Sequence, residues 1–319
     1  MEKRKYPEAI KRLPIGSLRF CQIPASHFKR RMPVVEGIFY SENAEELRGK
    51  LFSWGLEEAL DMPSLGGKII IAPHGAWDIS GEVAAAAFAS LQKLQKDEKS
   101  EEKNEAALRA VKSNALSGIQ RVFILAPCHG CGELGVYLSE SMSFQTPFGD
   151  LPVDRRVNRR LTSCSTLIKE NDILHLCEHS IEVLLPMIKF CFPDAKIVPI
   201  LTQGCKPVLV SSLSNALREI SENYLEKSLL IVSSNVSTSY DMDKALSMAD
   251  EFSAALSGQQ AHGFSDSFSS GKISACGGAI ITALFESGLL DGKRFQALTP
   301  LMSKTEEDGR VVCYGSFLA

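Results

Sequence analysis

Apolar residues in this chain gather in short uninterrupted runs, and two of those runs finish alike. Lys68-Ile-Ile-Ile-Ala-Pro-His74 and Arg121-Val-Phe-Ile-Leu-Ala-Pro-Cys-His129 each carry branched residues up to a Pro and then deliver a His. A run with no polar alternation reads as a strand buried on both faces, the usual setting of a parallel sheet. Each imidazole therefore leaves the sheet just beyond its last buried residue. Between the runs, the Ala-rich stretch from Gly81 to Leu91 predicts a helix, which completes a strand, helix, strand unit. Further strands are expected at Lys196 to Leu201 and Ser228 to Ser233, with helical stretches at Ser180 to Phe190 and Lys206 to Leu225. Strands alternating with helices imply an α/β fold: a layered, mainly parallel or mixed central sheet with flanking helices and right-handed crossovers. On this reading His74 and His129 lie at the carboxyl ends of neighbouring parallel strands. That is where open α/β sheets bind ligands. The alternative is a pair of hydrogen-bonded loop histidines.

Polar patterning marks two other regions. Residues 1 to 32 hold Lys3, Arg4, Lys5, Lys11, Arg12, Arg19, Lys29, Arg30 and Arg31 against Glu2 and Glu8 alone, and read as a basic N-terminal extension, solvated and wrapped on the domain, with an arm that meets an anionic partner as the alternative. Residues 33 to 319 then form a single α/β domain. From Lys93 to Lys112 the chain is rich in Glu, Lys, Gln and Asn, which predicts an exposed helix with a mobile approach.

Composition narrows the function classes. A net charge of -3 with 23% charged residues gives no basic excess for nucleic acid. No apolar run approaches the roughly 18 residues of a membrane span, and no apolar segment follows the basic start as a signal peptide would require. Nine cysteines, an odd number at irregular spacing, read as reduced thiols of a cytoplasmic protein and not as a disulfide framework.

Three further elements carry chemistry. Cys276, in Ser-Ala-Cys-Gly-Gly before the apolar run Ala279-Ile-Ile-Thr-Ala-Leu, sits near an expected helix start whose dipole favours the thiolate. A buried inert thiol is the alternative. Cys128-His129-Gly130-Cys131 is a C-x-x-C without a second half-site, a weak zinc signal. In Cys177-Glu-His-Ser-Ile-Glu182, helix capping accounts for Glu178 and Glu182 but not for His179.

These segments, in this order, resemble the Memo family, which includes the AmmeMemoRadiSam system protein B of bacteria. The resemblance runs from Val35-Glu-Gly-Ile-Phe-Tyr-Ser through Ala72-Pro-His, Ala126-Pro-Cys-His, Thr146-Pro-Phe-Gly-Asp-Leu-Pro-Val-Asp and Glu178-His-Ser-Ile-Glu-Val-Leu-Leu-Pro. It continues in Val198-Pro-Ile-Leu, Val232-Ser-Ser-Asn, Ala275-Cys-Gly and Tyr314-Gly-Ser-Phe-Leu. It implies a fold similar to the catalytic subunits of class III extradiol dioxygenases, and a metal on two histidines and a cysteine, matching His74, His129 and Cys276. Two histidines and a thiolate suit Fe, Cu or Zn and do not suit Mg or Ca, and three protein ligands leave a coordination position open. No nucleotide cofactor is expected. Trp77, Glu178, His179, Asn235 and Thr238 are the expected pocket residues.

The departures from the family pattern bear on activity. Where the family usually reads Ser-Ser-Asp-x-x-His, this chain has Ser233-Ser-Asn-Val-Ser-Thr, so Asn235 replaces an acid and Thr238 a histidine. Threonine has no titratable group near neutrality and cannot act as the acid/base. Trp77 and Ile79 stand at family tyrosines. The expectation is a metal-binding Memo-family protein with a redox or metal-handling role and with ring-cleaving dioxygenase activity lost. The alternative is a catalytically degenerate binding or scaffold protein of the same fold. Its partner would be a small molecule or a protein. A thiol hydrolase using Cys276 lacks a recognisable orienting acid.

Overall fold

The computed structural model describes residues 29–57, 68–101, 118–130, 133–258 and 261–319. The strands that matter for the site are β2 (Ile69–Ala72), β3 (Arg121–Pro127), β4 (Gly135–Leu138), β7 (Ile168–Glu170), β8 (Lys196–Gln203) and β9 (Ser228–Ser233). With β11 (Gln296–Ala297) and β14 (Phe317–Leu318) they form an eight-stranded sheet in the order β11-β14-β2-β9-β3-β8-β4-β7. Its centre, β2-β9-β3-β8, is parallel, while β14 and β4 join antiparallel on either side. The sheet is therefore mixed around a parallel core.

The uninterrupted apolar runs are explained by two cores, one on each face. Ile69, Ile71, Phe123, Leu125, Val198, Ile200, Leu230 and Val232 point into one core, beneath helices Pro207–Asn223, Met242–Ser257 and Gly278–Ser287. Ile70, Ala72, Val122, Ile124, Ala126, Leu229 and Ile231 alternate with them and point into the other, beneath helices Ala44–Ser53, Glu82–Glu101 and Leu185–Cys191. Successive side chains on a strand face opposite ways, so a strand covered twice must be apolar at every position.

Three expectations change. His74 and His129 do not leave adjacent strands, because β9 lies between β2 and β3 and pairs with both. A crossover helix can skip one strand position, and sequence order does not say which later strand fills it. Arg31, assigned to the solvated extension, is 1% exposed, and Arg30–Arg31 forms β1, which pairs parallel with β5 (Ser143–Thr146). Residues 1–28 of that extension lie outside the described residues. The helix after β2 begins with a single π turn, Trp77–Gly81, and runs from Glu82 to Glu101. The remainder of the stretch expected to end at Lys112 lies outside the described residues, as does Cys131. No helix among the described residues is long and apolar enough to cross a membrane.

Candidate metal centre

His74 follows β2 by two residues and is 2% exposed. Its backbone N–H donates to Asn235 Oδ1 at 3.2 Å, and its Nδ1 lies 2.8 Å from Ser233 Oγ. Ser233 ends the intervening β9 and Asn235 lies two residues beyond it, so the strand that separates the two histidines and its exit also hold one of them. The other ring nitrogen, Nε2, is buried with no hydrogen-bond partner among the described residues. Burial, with His129 and His179 nearby, keeps the His74 pKa well below the ordinary histidine value, so the ring is neutral and carries a lone pair.

His129 follows β3 and is held by Glu178. Its Nδ1 is 3.0 Å from Glu178 Oε1, and its backbone N–H donates to Oε2 of the same carboxylate. Glu178 Oε1 also accepts the N–H groups of His179 and Ser180, each at 2.9 Å. Glu178 does not cap the helical turn Glu182–Leu184, which has no side-chain cap; its carboxylate holds the N–H groups of the preceding loop and orients His129. Burial alone would raise the Glu178 pKa. Hydrogen bonding and the charge of His129, with His179 close by, instead hold it far below the usual carboxylate range. Burial likewise works against a charged His129, yet hydrogen bonds to Cys276 and Glu178 push its pKa up to about 10.

Cys276 arrives from the other side, just before helix Gly278–Ser287. Its loop is pinned twice. Ser274 Oγ donates to Thr238 O at 2.9 Å and accepts from Thr238 N at 3.1 Å, and Gly277 N–H donates to Ser234 Oγ at 2.8 Å. A Cβ at position 277 would meet Ser234 Cβ at 2.7 Å, closer than real Cβ contacts allow, so the approach requires glycine.

The three segments converge. The His74 and His129 ring centroids are 5.0 Å apart, and one ligand atom from each of His74, His129 and Cys276 lies within 4.8 Å of the others. His74 closes the inner end, while the His129 side chain is 37% exposed, so the cluster opens outward. A second group, His129, Glu178 and His179, meets the same distance limit. There the carboxylate already accepts four hydrogen bonds, which fits an orienting residue better than a ligand. The first group fits a transition metal on its own chemistry: two nitrogens, one sulfur and a buried His74 Nε2 that has no hydrogen-bond partner among the described residues.

A family profile described as Memo-like protein matches residues 31–318. The chain belongs to the Memo family. A MEMO1 family protein of Pyrobaculum aerophilum is 30% identical over 213 residues, covering 64% of this chain and 67% of its own. A MEMO1 family protein of Thermotoga neapolitana is 28% identical over 225 residues, covering 67% and 72%. Among solved structures, an uncharacterized protein JW3007 from Escherichia coli aligns with 79% of this chain and 98% of its own at a TM-score of 0.45 and 16% identity. The mixed α/β sheet flanked by helices is the fold expected of a Memo-family member, a fold related to that of the class III extradiol dioxygenases.

The expected pocket residues divide. His179 stacks on His129 at 5.1 Å and an interplanar angle of 20°, lies 5.8 Å from His74, and has Phe39 on its edge. Asn235 and Thr238 touch the site through His74 N and the Cys276 loop respectively. Trp77 is instead a core residue, 3% exposed, with its indole N–H donated to Val183 O and its ring against Tyr40 and Trp54. Ile79 faces a different cavity of about 650 Å³, lined also by Val83, Leu298 and Met302 and by none of the three ligand candidates. Two sets of supporting residues were not singled out from sequence. Ser233 and Ser234 are ordinary strand-end serines by composition. Arg31 binds Glu182 and also donates to His175 O and Glu178 O, each at 2.9 Å, bracing the loop that carries Glu178 and His179.

Proposed function

We propose that this Memo-family protein holds a transition metal, Fe, Cu or Zn, on His74 Nε2, His129 and Cys276 Sγ, with an open face toward solvent and a redox or metal-handling role. The observation that carries this reading is the convergence of one ligand atom each from His74, His129 and Cys276 within 4.8 Å, together with a buried His74 Nε2 that has no hydrogen-bond partner among the described residues. A metal bound there supplies Lewis acidity or one-electron chemistry, according to its identity. The chain's own residues do the rest. Glu178 orients His129, β9 orients His74, and the pinned loop presents the Cys276 thiol. His179, whose pKa is lowered by burial, is neutral near pH 7 and stands beside two ligand candidates, where it can accept or return a proton. A cytoplasmic, reducing setting keeps the thiol available.

The alternative, a binding protein without catalysis, draws on Asn235 and Thr238. Asn235 Oδ1 is engaged by His74 N, and Thr238 is fixed in the ladder of β10 (Ser237–Ser239) opposite Val312. The deciding experiment is metal analysis of untagged protein beside Cys276→Ala under a competing chelator. Stoichiometric metal in the parent, lost from the variant, is the expected result. Equal retention by both would remove Cys276 from the ligand set, and no retained metal in the parent would favour the binding protein.

A further inference from the structure

We infer that Ser233 fixes His74 as the Nδ1–H tautomer, so that the lone pair of Nε2 is aimed into the cluster before any metal arrives. Ser233 is wholly buried at the carboxyl end of β9, opposite Ala72 of β2. A serine hydroxyl has one proton to give. Here that proton is directed at Ser180 O, 2.6 Å away. The same oxygen lies 2.8 Å from His74 Nδ1 and has only acceptor capacity left, so Nδ1 must be the donor. In the opposite tautomer two lone pairs would face each other across 2.8 Å, or Ser180 O would lose its donor. The proton on Nε2 would also be buried without an acceptor, because no partner lies within reach of that atom among the described residues. Each alternative leaves buried polar groups unmatched; the Nδ1–H form leaves one lone pair free, and a metal would use it.

The relay reaches further. Ser180 Oγ donates to Pro127 O at 2.7 Å, at the end of β3 and two residues before His129. The hydroxyls of Ser233 and Ser180 therefore join the ends of β2, β9 and β3 through the segment that carries Glu178 and His179. Ser233 is a positioning residue: it acts on a metal only through His74.

The role in metal binding rests on the proposed metal site, whereas the tautomer is a property of the metal-free protein and can be tested alone. Metal-free protein labelled with ¹⁵N histidine is examined by long-range ¹H–¹⁵N correlation at about pH 8, above the ordinary histidine range. The His74 signals are identified by their loss in His74→Gln. The expected pattern is that of a protonated Nδ1 and a bare Nε2; the Nε2–H pattern overturns the inference, whatever the metal data show. A second arm measures Zn²⁺ affinity by chelator competition, together with the near-ultraviolet thiolate-to-Co²⁺ band. Ser233→Ala should weaken binding by about 10- to 100-fold, the usual effect of removing an outer partner of a metal-bound histidine, and Ser233→Thr, which keeps the hydroxyl, should restore it. Unchanged affinity in a folded Ser233→Ala would overturn the positioning role. No binding by the parent would instead count against the proposed metal site, leaving the tautomer result to stand.

Discussion

Glu178 and His129 form a carboxylate–histidine pair, with Oε1 3.0 Å from Nδ1, that leaves the other face of the imidazole turned to Cys276. Outer carboxylates of this kind fix the orientation of a ligand histidine and raise its basicity. Glu178→Gln should therefore weaken Zn²⁺ binding by about 10- to 100-fold, read by chelator competition. The pair also has a pH signature in metal-free protein. A pKa raised from 6.5 to about 10, against burial, by hydrogen bonds to Cys276 and to Glu178 means that these contacts together stabilise the fold fully below about pH 6.5 and cease to do so as pH rises through about 10. Urea denaturation against pH should show that alkaline loss in the parent and a smaller one in Glu178→Gln.

Ring cleavage should be absent. Anaerobic loading with Fe²⁺, followed by oxygen and a panel of catechols, is expected to give no ring-opened product at ordinary enzymatic rates of about 1 s⁻¹ or more. Loss of an acid/base group costs about 10²- to 10⁴-fold, and Thr238 cannot supply one. Turnover above that rate would assign the proton transfer to another residue. If His179→Ala then abolished it, His179 would be that group.

Arg31→Met should be strongly destabilising, by about 3 to 5 kcal/mol in urea denaturation, because it strands the buried Glu182 carboxylate. Among the described residues Glu182 would keep only the N–H groups of Val34 and Val35 and the Tyr40 hydroxyl. Since Arg31 also donates to Glu178 O, the folded fraction should bind metal more weakly than the parent. An unaltered urea midpoint would show that Glu182 is held by those other donors alone.

Acid sensitivity should come in part from Asp154. Burial alone would raise its pKa, but the 2.7 Å bond from Arg121 Nε and the cap it forms on Val157 N lower it overall. A depressed carboxyl pKa contributes stability above its ordinary value near 3.8 and loses it as pH falls through the folded value. Asp154→Asn should therefore reduce stability at neutral pH and flatten the acid limb of the stability curve. Parallel acid limbs for the two proteins would count against this assignment.

Much of the site was legible because its signals are local. A branched apolar run closed by Pro and His announces a buried strand with a ligand candidate at its exit, and Cys276 before an apolar helix announces a thiol at a helix start. Motif order added the family, which the match over residues 31–318 shows. What stayed hidden depended on partners distant in sequence. Arg31 looked like one more charge in a basic arm until Glu182, 151 residues on, was seen to bury it. Trp77 looked like a pocket residue until its indole N–H was found on Val183 O.

The sequence by itself determined which segments are strands buried on both faces, where His74 and His129 leave them, and which thiol precedes a helix, because side-chain periodicity and helix-end chemistry act over a few residues. Tertiary structure alone decided that β9 inserts between the two histidine strands, that Ser233 spends its proton on Ser180 O, and that Glu178 reaches His129. Those outcomes depend on which strand fills a skipped position and on where a single hydroxyl proton finds an acceptor, and neither is written in the spacing of residues along the chain.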